Sequence, residues 1–514
     1  MSTIAERPHD VAGRDAGIED FEVLVIGSGA AGVATAYKLS RAGIDSFALL
    51  EKAHDVGGTW RDNVYPGLTC DVPSHVYQFS FEPNPNWSRT FSPQAEIYAY
   101  VRNTVDKHGI RPKIRFGTEV AQARYDEGDG RWTVLATDGR RFRARFLFNG
   151  AGALERPRIP PIAGIETFGG ATFHSARWDA TYDFAGKRVA VIGNAASGVQ
   201  LIPKIAAVAE RVTVFQRTPN WVIPKPDLPY AAWERALMRR VPGLARLRSR
   251  VLFARTEATF AIFKKNSRLG RLLERIAIAA MRRSIKDPAV VRALTPAYPI
   301  GCKRILFSND YYPALARPNV ELVTAGVARA TPAGIASNDG RLHEADVVVY
   351  ATGFEVFQSG IAIYGKGGVP IAERWAEAPA AYKGVTVAGF PNLFYLLGPN
   401  TALGHNSVWL MIEAQADYAI EAIRIVRDRG DAAIEVRPEA LADYNRTIQQ
   451  RLGGMVWAAG CGAWYTTKTG HNYTLWSGDV RAYRRELAHV DLRHYDLIPA
   501  RAATACSSGG APAP

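Results

Sequence analysis

Glu51 and Arg217 carry opposite charges at the same place in two similar stretches. Glu51 stands 24 positions after Gly27, and Arg217 stands 24 positions after Gly193. Each glycine ends an apolar run, Val23-Leu24-Val25-Ile26 in one case and Val189-Ala190-Val191-Ile192 in the other. A carboxylate so placed takes both hydroxyls of an adenosine ribose, whereas a guanidinium suits a ribose that carries a 2′-phosphate. These residue types predict two nucleotide seats, the first for FAD and the second for NADPH, with Thr218 adding a hydroxyl beside Arg217.

The elements that must hold these charges are a strand, a glycine turn, a helix and a second strand, twice over. Residues 21–26 are apolar and rich in β-branched side chains, Gly27-Ser28-Gly29-Ala30-Ala31-Gly32 follows, and residues 33–42 have helical composition before a strand at 46–50. Gly27 serves the tight turn, Gly29 the approach of a pyrophosphate, and Gly32 the close packing of helix on strand, with the helix N-terminus facing the phosphates. In the second unit Asn194, Ala195, Ala196, Ser197, Gly198 and Gln200 occupy the matching turn and helix. Ala195 replaces the second glycine and is expected to crowd a pyrophosphate slightly.

Beyond the first unit, Gly57-Gly58-Thr59-Trp60 and Tyr65-Pro66-Gly67 form a glycine-rich loop that leads to Cys70-Asp71. An acid returning past the first seat is placed to hydrogen-bond a flavin or fix a nearby cation; a turn or helix cap is the alternative. Residues 98–107 read as a helix, and the segments around Val120, 132–136 and 142–148 read as strands of a small sheet. Segments 146–152 and 347–354 both run from an apolar strand into a glycine turn, which predicts a first domain interrupted by a second. The expected division is a flexible leader at 1–20, an FAD-binding domain at 21–155 and 347–500, a linker at 156–185, an NADPH-binding domain at 186–346 with a helical insertion at 232–298, and a disordered tail at 501–514.

With 514 residues, 47% hydrophobic and 22% charged, the chain is long and apolar enough for sizeable cores. No stretch reaches the roughly 18 unbroken apolar residues of a membrane span, and residues 1–20 lack the apolar core of a secretory signal, so a cytoplasmic protein is expected. Cys70, Cys302, Cys461 and Cys506 form no CxxC. No metal knuckle or dithiol pair is therefore expected, and a reduced setting is the simplest reading. A net charge of +14 would raise nucleic acid as a partner, but residues 232–292 hold 16 Lys or Arg against four acids, without a nucleic-acid motif. Apolar residues are interspersed there, as in amphipathic helices. A solvated basic face is the simpler reading, and a membrane-surface patch that collects apolar substrates is the alternative.

Between the two units, Phe168, Gly170, His174, Trp178 and Asp179 follow the spacing FxGxxxHxxxW and then Asp. This resembles the fingerprint of the Baeyer-Villiger monooxygenases; the related flavin-containing monooxygenases usually carry Phe or Tyr where this chain has Trp178. The resemblance runs from residue 21 to about residue 483 and includes Gly58-Thr59-Trp60, Gln216-Arg217-Thr218-Pro219, Gly301-Cys302-Lys303-Arg304, Gly398-Pro399-Asn400 and Trp464-Tyr465.

It implies an α/β fold of two Rossmann-like domains, binding FAD and NADPH, with a helical insertion. It also implies an enzyme that uses O2 to insert one oxygen atom beside a ketone carbonyl through a flavin C4a-peroxide, giving an ester or lactone. Arg304 matches the family's active-site arginine and Asp71 the acid beside it. Lys303 matches a holder of the 2′-phosphate, and Thr69, Cys70 and Asp71 approach the nicotinamide cofactor. Glu51, Thr59, Trp60, Arg61, Asp62, Asp71, Tyr77 and Val120 fall where the family contacts FAD, while Asn400 and Trp464 fall at cofactor and pocket positions. His174 is expected in the linkage between domains, supporting their movement rather than the chemistry. Two rival readings are an N- or S-oxygenating flavin monooxygenase and a non-catalytic FAD/NADPH-binding sensor.

Overall fold

A computed structural model of the chain describes residues 17–357 and 359–500. The expected tail at 501–514, Cys506 and most of the expected leader lie outside the described residues.

Apolar, β-branched runs that alternate with helices are buried on both faces, and such strands assemble into parallel sheets. In the second unit the strands Val320–Val323, Arg211–Phe215, Arg188–Ile192, Val347–Tyr350 and Ala171–His174 lie side by side in that order, all parallel. The first sheet runs Ala362–Tyr364, Val120–Asp126, Arg131–Ala136, Arg141–Asn149, Ile18–Ile26, Phe47–Leu50 and Ile114–Arg115. Ile18–Ile26 is central and parallel to both neighbours. On its edge away from Ile18–Ile26, Arg141–Asn149 serves two partners: its first half pairs antiparallel with Arg131–Ala136, while Leu147, Phe148 and Asn149 pair with Leu393, Phe394 and Tyr395. The first sheet is thus completed by segments from the far end of the chain. The α/β class, with two dinucleotide-type sheets, agrees with the sequence reading. The insertion is helical, with Ala232–Arg240, Leu244–Ala258, Arg268–Ser284 and Pro288–Leu294.

Four expectations change. The first strand begins at Ile18, inside the expected leader, because Ile18, Glu19 and Asp20 pair with Arg141, Phe142 and Arg143. The stretch at 156–185 is more than a linker, since Ala171–His174 forms the edge of the second sheet. Gly170 abuts the neighbouring segment so closely that a β-carbon there would sit 2.2 Å from the Asp346 carbonyl oxygen. Val347–Tyr350 belongs to the second sheet, not to the returning half of the first. All four residues are buried between two strands, as a continuous apolar run requires. The chain crosses between sheets at 155–158 and 352–355, where the Arg158 N–H donates to the Gly353 carbonyl and the Glu355 N–H to the Arg156 carbonyl, each at 2.9 Å. Finally, Cys302 and Cys461 form a disulfide across 159 positions of sequence. The cysteine argument for a reduced setting therefore fails, because a pair so far apart has no local signature. Cys70 is free and buried.

Candidate active site

The central strand of the first sheet ends at Gly27, whose φ is +93°. The helix Ala30–Arg41 opens behind Gly29 with no side-chain cap and no acid in its first turn. Its leading N–H groups are therefore free for an anion. A β-carbon on Gly32 would lie 2.0 Å from the Gly27 carbonyl oxygen, so helix and turn touch directly. Glu51 is 4% exposed and accepts from the Ser28 N–H at 2.9 Å and the Ser28 hydroxyl at 2.7 Å. Arg61 donates to Glu51 at 3.0 Å and to Asp62 at 2.7 Å, so this arginine organises two acids of the seat. Thr59 opens the short helix Thr59–Asp62, Trp60 donates from its indole to the Tyr77 hydroxyl at 3.1 Å, and Val120 starts a strand just past Thr118, whose N–H donates to the Glu51 carbonyl at 2.8 Å.

The second seat repeats this geometry. Gly193 has φ +103°, and the helix Ala196–Ile205 opens behind Ala195, again with no side-chain cap and no acid in the first turn. Ala195 (φ −82°, ψ −157°) holds nearly the backbone conformation of Gly29 (φ −72°, ψ −168°), and a β-carbon on Gly29 would come no nearer than 3.6 Å to a protein atom outside its own neighbourhood. The alanine is thus compatible with the turn. Asn194 donates to Gln216 at 2.6 Å, with Ser197 and Gly198 continuing into the helix. Arg217 is exposed beyond the strand Arg211–Phe215, with Thr218 half-buried beside it. No acid lies within 4.0 Å of Arg217 or Lys303 among the described residues. Burial, and then the charge of Arg217, lower the Lys303 pKa. Two neighbouring cations with no carboxylate in reach fit a doubly charged phosphate. The Tyr298 hydroxyl donates to the Pro219 carbonyl at 2.7 Å, and the Trp221 indole donates to the Tyr298 carbonyl at 2.8 Å, which fastens the Arg217 segment to the Lys303 segment.

Gln200 joins the two seats. It accepts from the Tyr65 hydroxyl at 3.1 Å and donates to the Thr69 carbonyl at 2.9 Å. Two residues further on, Asp71 grips Arg304 through Nε at 3.0 Å and Nη2 at 2.6 and 2.8 Å. The charge of Asp71 raises the Arg304 pKa, outweighing the opposing effect of burial. Arg304 is nonetheless 44% exposed, because it lies deep in the molecule but faces open space. Cys70 contributes no nucleophile: burial, and then Asp71, push its thiol pKa up to about 12. Burial likewise raises Tyr77. Asn400 has φ +58° and donates to the Asn472 and Leu475 carbonyls at 2.7 and 3.2 Å, leaving its buried Oδ1 without a partner. Trp464 is 46% exposed beside Tyr465, whose hydroxyl donates to the Cys302 carbonyl. His174 is buried at the end of its strand, accepts from the Ala176 N–H at 3.0 Å, and packs edge-on to Phe354 at the crossover between sheets. Its pKa falls to about 4 through burial.

Three contributors escape sequence reasoning. Ser28 sits inside the glycine motif yet holds Glu51. Lys225 donates to the Thr69 hydroxyl at 2.5 Å and the Cys70 carbonyl at 3.0 Å, fixing the loop that presents Asp71. Glu257, in the helical insertion, accepts from His405 at 3.2 Å, Asn406 at 2.6 Å and the Val480 N–H at 3.0 Å. The last two contacts join residues far apart in sequence, and neither has a motif.

A model of the pyridine nucleotide-disulphide oxidoreductase family matches residues 24–239. The free Cys70 has no thiol partner among the described residues, so this match reflects the nucleotide-binding folds. A Baeyer-Villiger monooxygenase of Streptomyces coelicolor is 44% identical over 484 residues, spanning 93% of this chain and 93% of its own. The chain belongs to the Baeyer-Villiger monooxygenases. A second relative so named, from Pseudomonas aeruginosa, is 40% identical over 481 residues and spans 93% of this monooxygenase and 91% of its own chain. The closed crystal structure of a cyclohexanone monooxygenase superposes with a TM-score of 0.84 at 29% identity, covering 94% of this monooxygenase and 100% of that chain. An oxidised steroid monooxygenase bound to NADP gives 0.82 at 31% identity, covering 93% and 100%.

Proposed function

We propose that this monooxygenase holds FAD on the first seat and NADPH on the second, and inserts one atom of O2 beside a ketone carbonyl to give an ester or lactone. The second oxygen atom leaves as water, with NADPH as the two-electron donor. The observation that carries this reading is Arg304, fixed by Asp71 and facing open space.

The two-part first sheet forms the FAD domain, the second sheet with its helical insertion forms the NADPH domain, and the paired crossovers link them. Glu51 receives the adenosine ribose, and the uncapped helix N-termini receive the pyrophosphates. Arg217, Thr218 and Lys303 take the 2′-phosphate. Bound FAD supplies electron transfer from NADPH and activation of O2. Arg304 stays charged at any working pH, so it stabilises negative charge on the carbonyl oxygen during attack without being a proton donor. Asp71 sets its direction, and Lys225 sets Asp71 by fixing Thr69 and Cys70. Asn400 offers an unpaired acceptor to the flavin side, and Trp464 walls the substrate space. NADPH dependence favours a cytoplasmic setting, where the Cys302–Cys461 bond would exchange with the glutathione pool.

The test is a panel of ketones, sulfides and amines with 18O2 and mass detection. Ketone products heavier by one 18O atom are expected. Oxygenation confined to nitrogen or sulfur would overturn the ketone assignment, and protein that cannot be reconstituted with flavin would overturn the reading altogether.

A further inference from the structure

The longer helices of the insertion turn apolar stripes outward, bordered by arginines. On Leu244–Ala258 the exposed positions include Leu247, Val251 and Ala254, one face of the helix, with Arg246, Arg250 and Arg255 beside them. On Arg268–Ser284 they include Leu269, Leu272 and Ile276, with Arg268, Arg271 and Arg275. Trp233 and Leu237 do the same on Ala232–Arg240. Trp233 is 68% exposed, Val251 60% and Leu272 52%. Of sixteen large apolar side chains exposed among the described residues, nine lie between residues 228 and 276, a concentration rather than the usual scatter. The inner sides of the same segment are already filled by buried Met238, Ile262, Phe263, Ala277 and Met281. The outer stripes therefore have no role in the core.

The charge on this face is uncompensated. Residues 232–292 hold 16 Lys or Arg and four acids, and each acid already has a hydrogen-bond partner. Glu234 accepts from the Ala231 N–H, Glu257 from His405 and Asn406, Glu274 from the Ile300 N–H, and Asp287 from the Ala289 N–H. Among the described residues only Arg248 of the sixteen cations has an acid within 4.0 Å. A nucleic acid would satisfy the cations but leave leucine, valine and isoleucine against phosphate and water. A bilayer surface satisfies both: guanidinium groups meet lipid phosphates while the apolar stripes enter the acyl boundary.

We propose that the outward face of the insertion docks on an anionic phospholipid surface. The opposite side of this layer packs on the active-site framework, with Glu257 held to the 405–406 turn and Phe263 within 3.4 Å of the β-carbon positions of Gly301 and Gly404. A membrane-bound enzyme would then sit one helical layer from a reservoir of apolar ketones, a consequence that rests on the proposed oxygenation; the docking itself does not.

The FAD-loaded full chain is sedimented with vesicles of phosphatidylcholine alone or mixed with phosphatidylglycerol. It should pellet with the mixed vesicles only, and less as salt rises, because the screening length falls from about 10 Å at 0.1 M to about 3 Å at 1 M. Arg250→Ser and Arg271→Ser should each weaken partitioning about fivefold. Leu247→Glu and Val251→Ser should also weaken it, while leaving flavin absorbance and NADPH oxidation in solution unchanged. Absence of pelleting, equal pelleting with neutral vesicles, or indifference to both apolar substitutions overturns the proposal. Tighter binding to duplex DNA, insensitive to Leu247→Glu, would assign the face to nucleic acid instead. No ketone is present in the assay, so its failure is separate from failure of the oxygenase reading.

Discussion

Arg304 illustrates how a side chain acquires a task from its holder. Nearly half of it reaches open space, yet three contacts to Asp71 fix its direction. Arg304→Ala should leave NADPH-driven bleaching of the flavin intact in stopped-flow and reduce ester formation by about 10²–10³-fold, the loss typical of a removed oxyanion donor. A normal ester yield would remove Arg304 from the reaction. At the second seat neither Arg217 nor Lys303 has a carboxylate in reach, so Arg217→Ala should raise the NADPH KM roughly 10- to 150-fold, the equivalent of one hydrogen bond to a charged group, with little change for NADH. Equal effects on both coenzymes would show that Arg217 does not touch the phosphate. Glu51 and Arg217 were legible in the sequence because strand, turn and helix place them by local spacing. Lys225 was not, because its contacts to Thr69 and Cys70 cross more than 150 positions of chain.

At the scale of elements, Glu257 binds the helix Leu244–Ala258 to the 405–406 turn and to the N-terminus of the helix Val480–Glu486. Burial alone would raise its pKa. Hydrogen bonds from His405, Asn406 and the Arg481 N–H outweigh burial and lower it. A carboxylate with a lowered folded-state pKa contributes stability above its unfolded value and loses that contribution as pH falls through the folded value. Denaturant melts should therefore weaken progressively below about pH 4.3, the ordinary glutamate range, and Glu257→Gln should flatten that part of the profile. Glu257→Ala should cost about 1–3 kcal/mol at neutral pH, the penalty of leaving buried donors unpaired. Strands were legible as elements because β-branched runs declare themselves, but their partners were not. Val347–Tyr350 looked like the start of the returning domain, and only sheet packing reveals that it lies between Ala171–His174 and Arg188–Ile192.

Across the whole molecule, the Cys302–Cys461 bond and the Tyr465 hydroxyl both anchor the 461–465 segment to the segment bearing Arg304. Cys461→Ser should lower stability by about 2–4 kcal/mol in denaturant melts, and reduction of the wild-type protein should expose two additional thiols. Unchanged stability together with an unchanged thiol count would show that the bond does not form in solution. The existence of two dinucleotide-type sheets was readable because a duplicated motif is a global signal. The disulfide was not, since pairing across 159 positions depends on the completed fold.

The shared strand Arg141–Asn149 has a temporal consequence. Its second half waits for Leu393, Phe394 and Tyr395, whereas the last strand of the second sheet ends at Tyr350. As the chain leaves the ribosome, the middle can finish before the beginning does. A nascent chain that has emerged through Tyr350 but not as far as Leu393 should already be retained on immobilised 2′,5′-ADP, while capturing no flavin until residues near 395 have emerged.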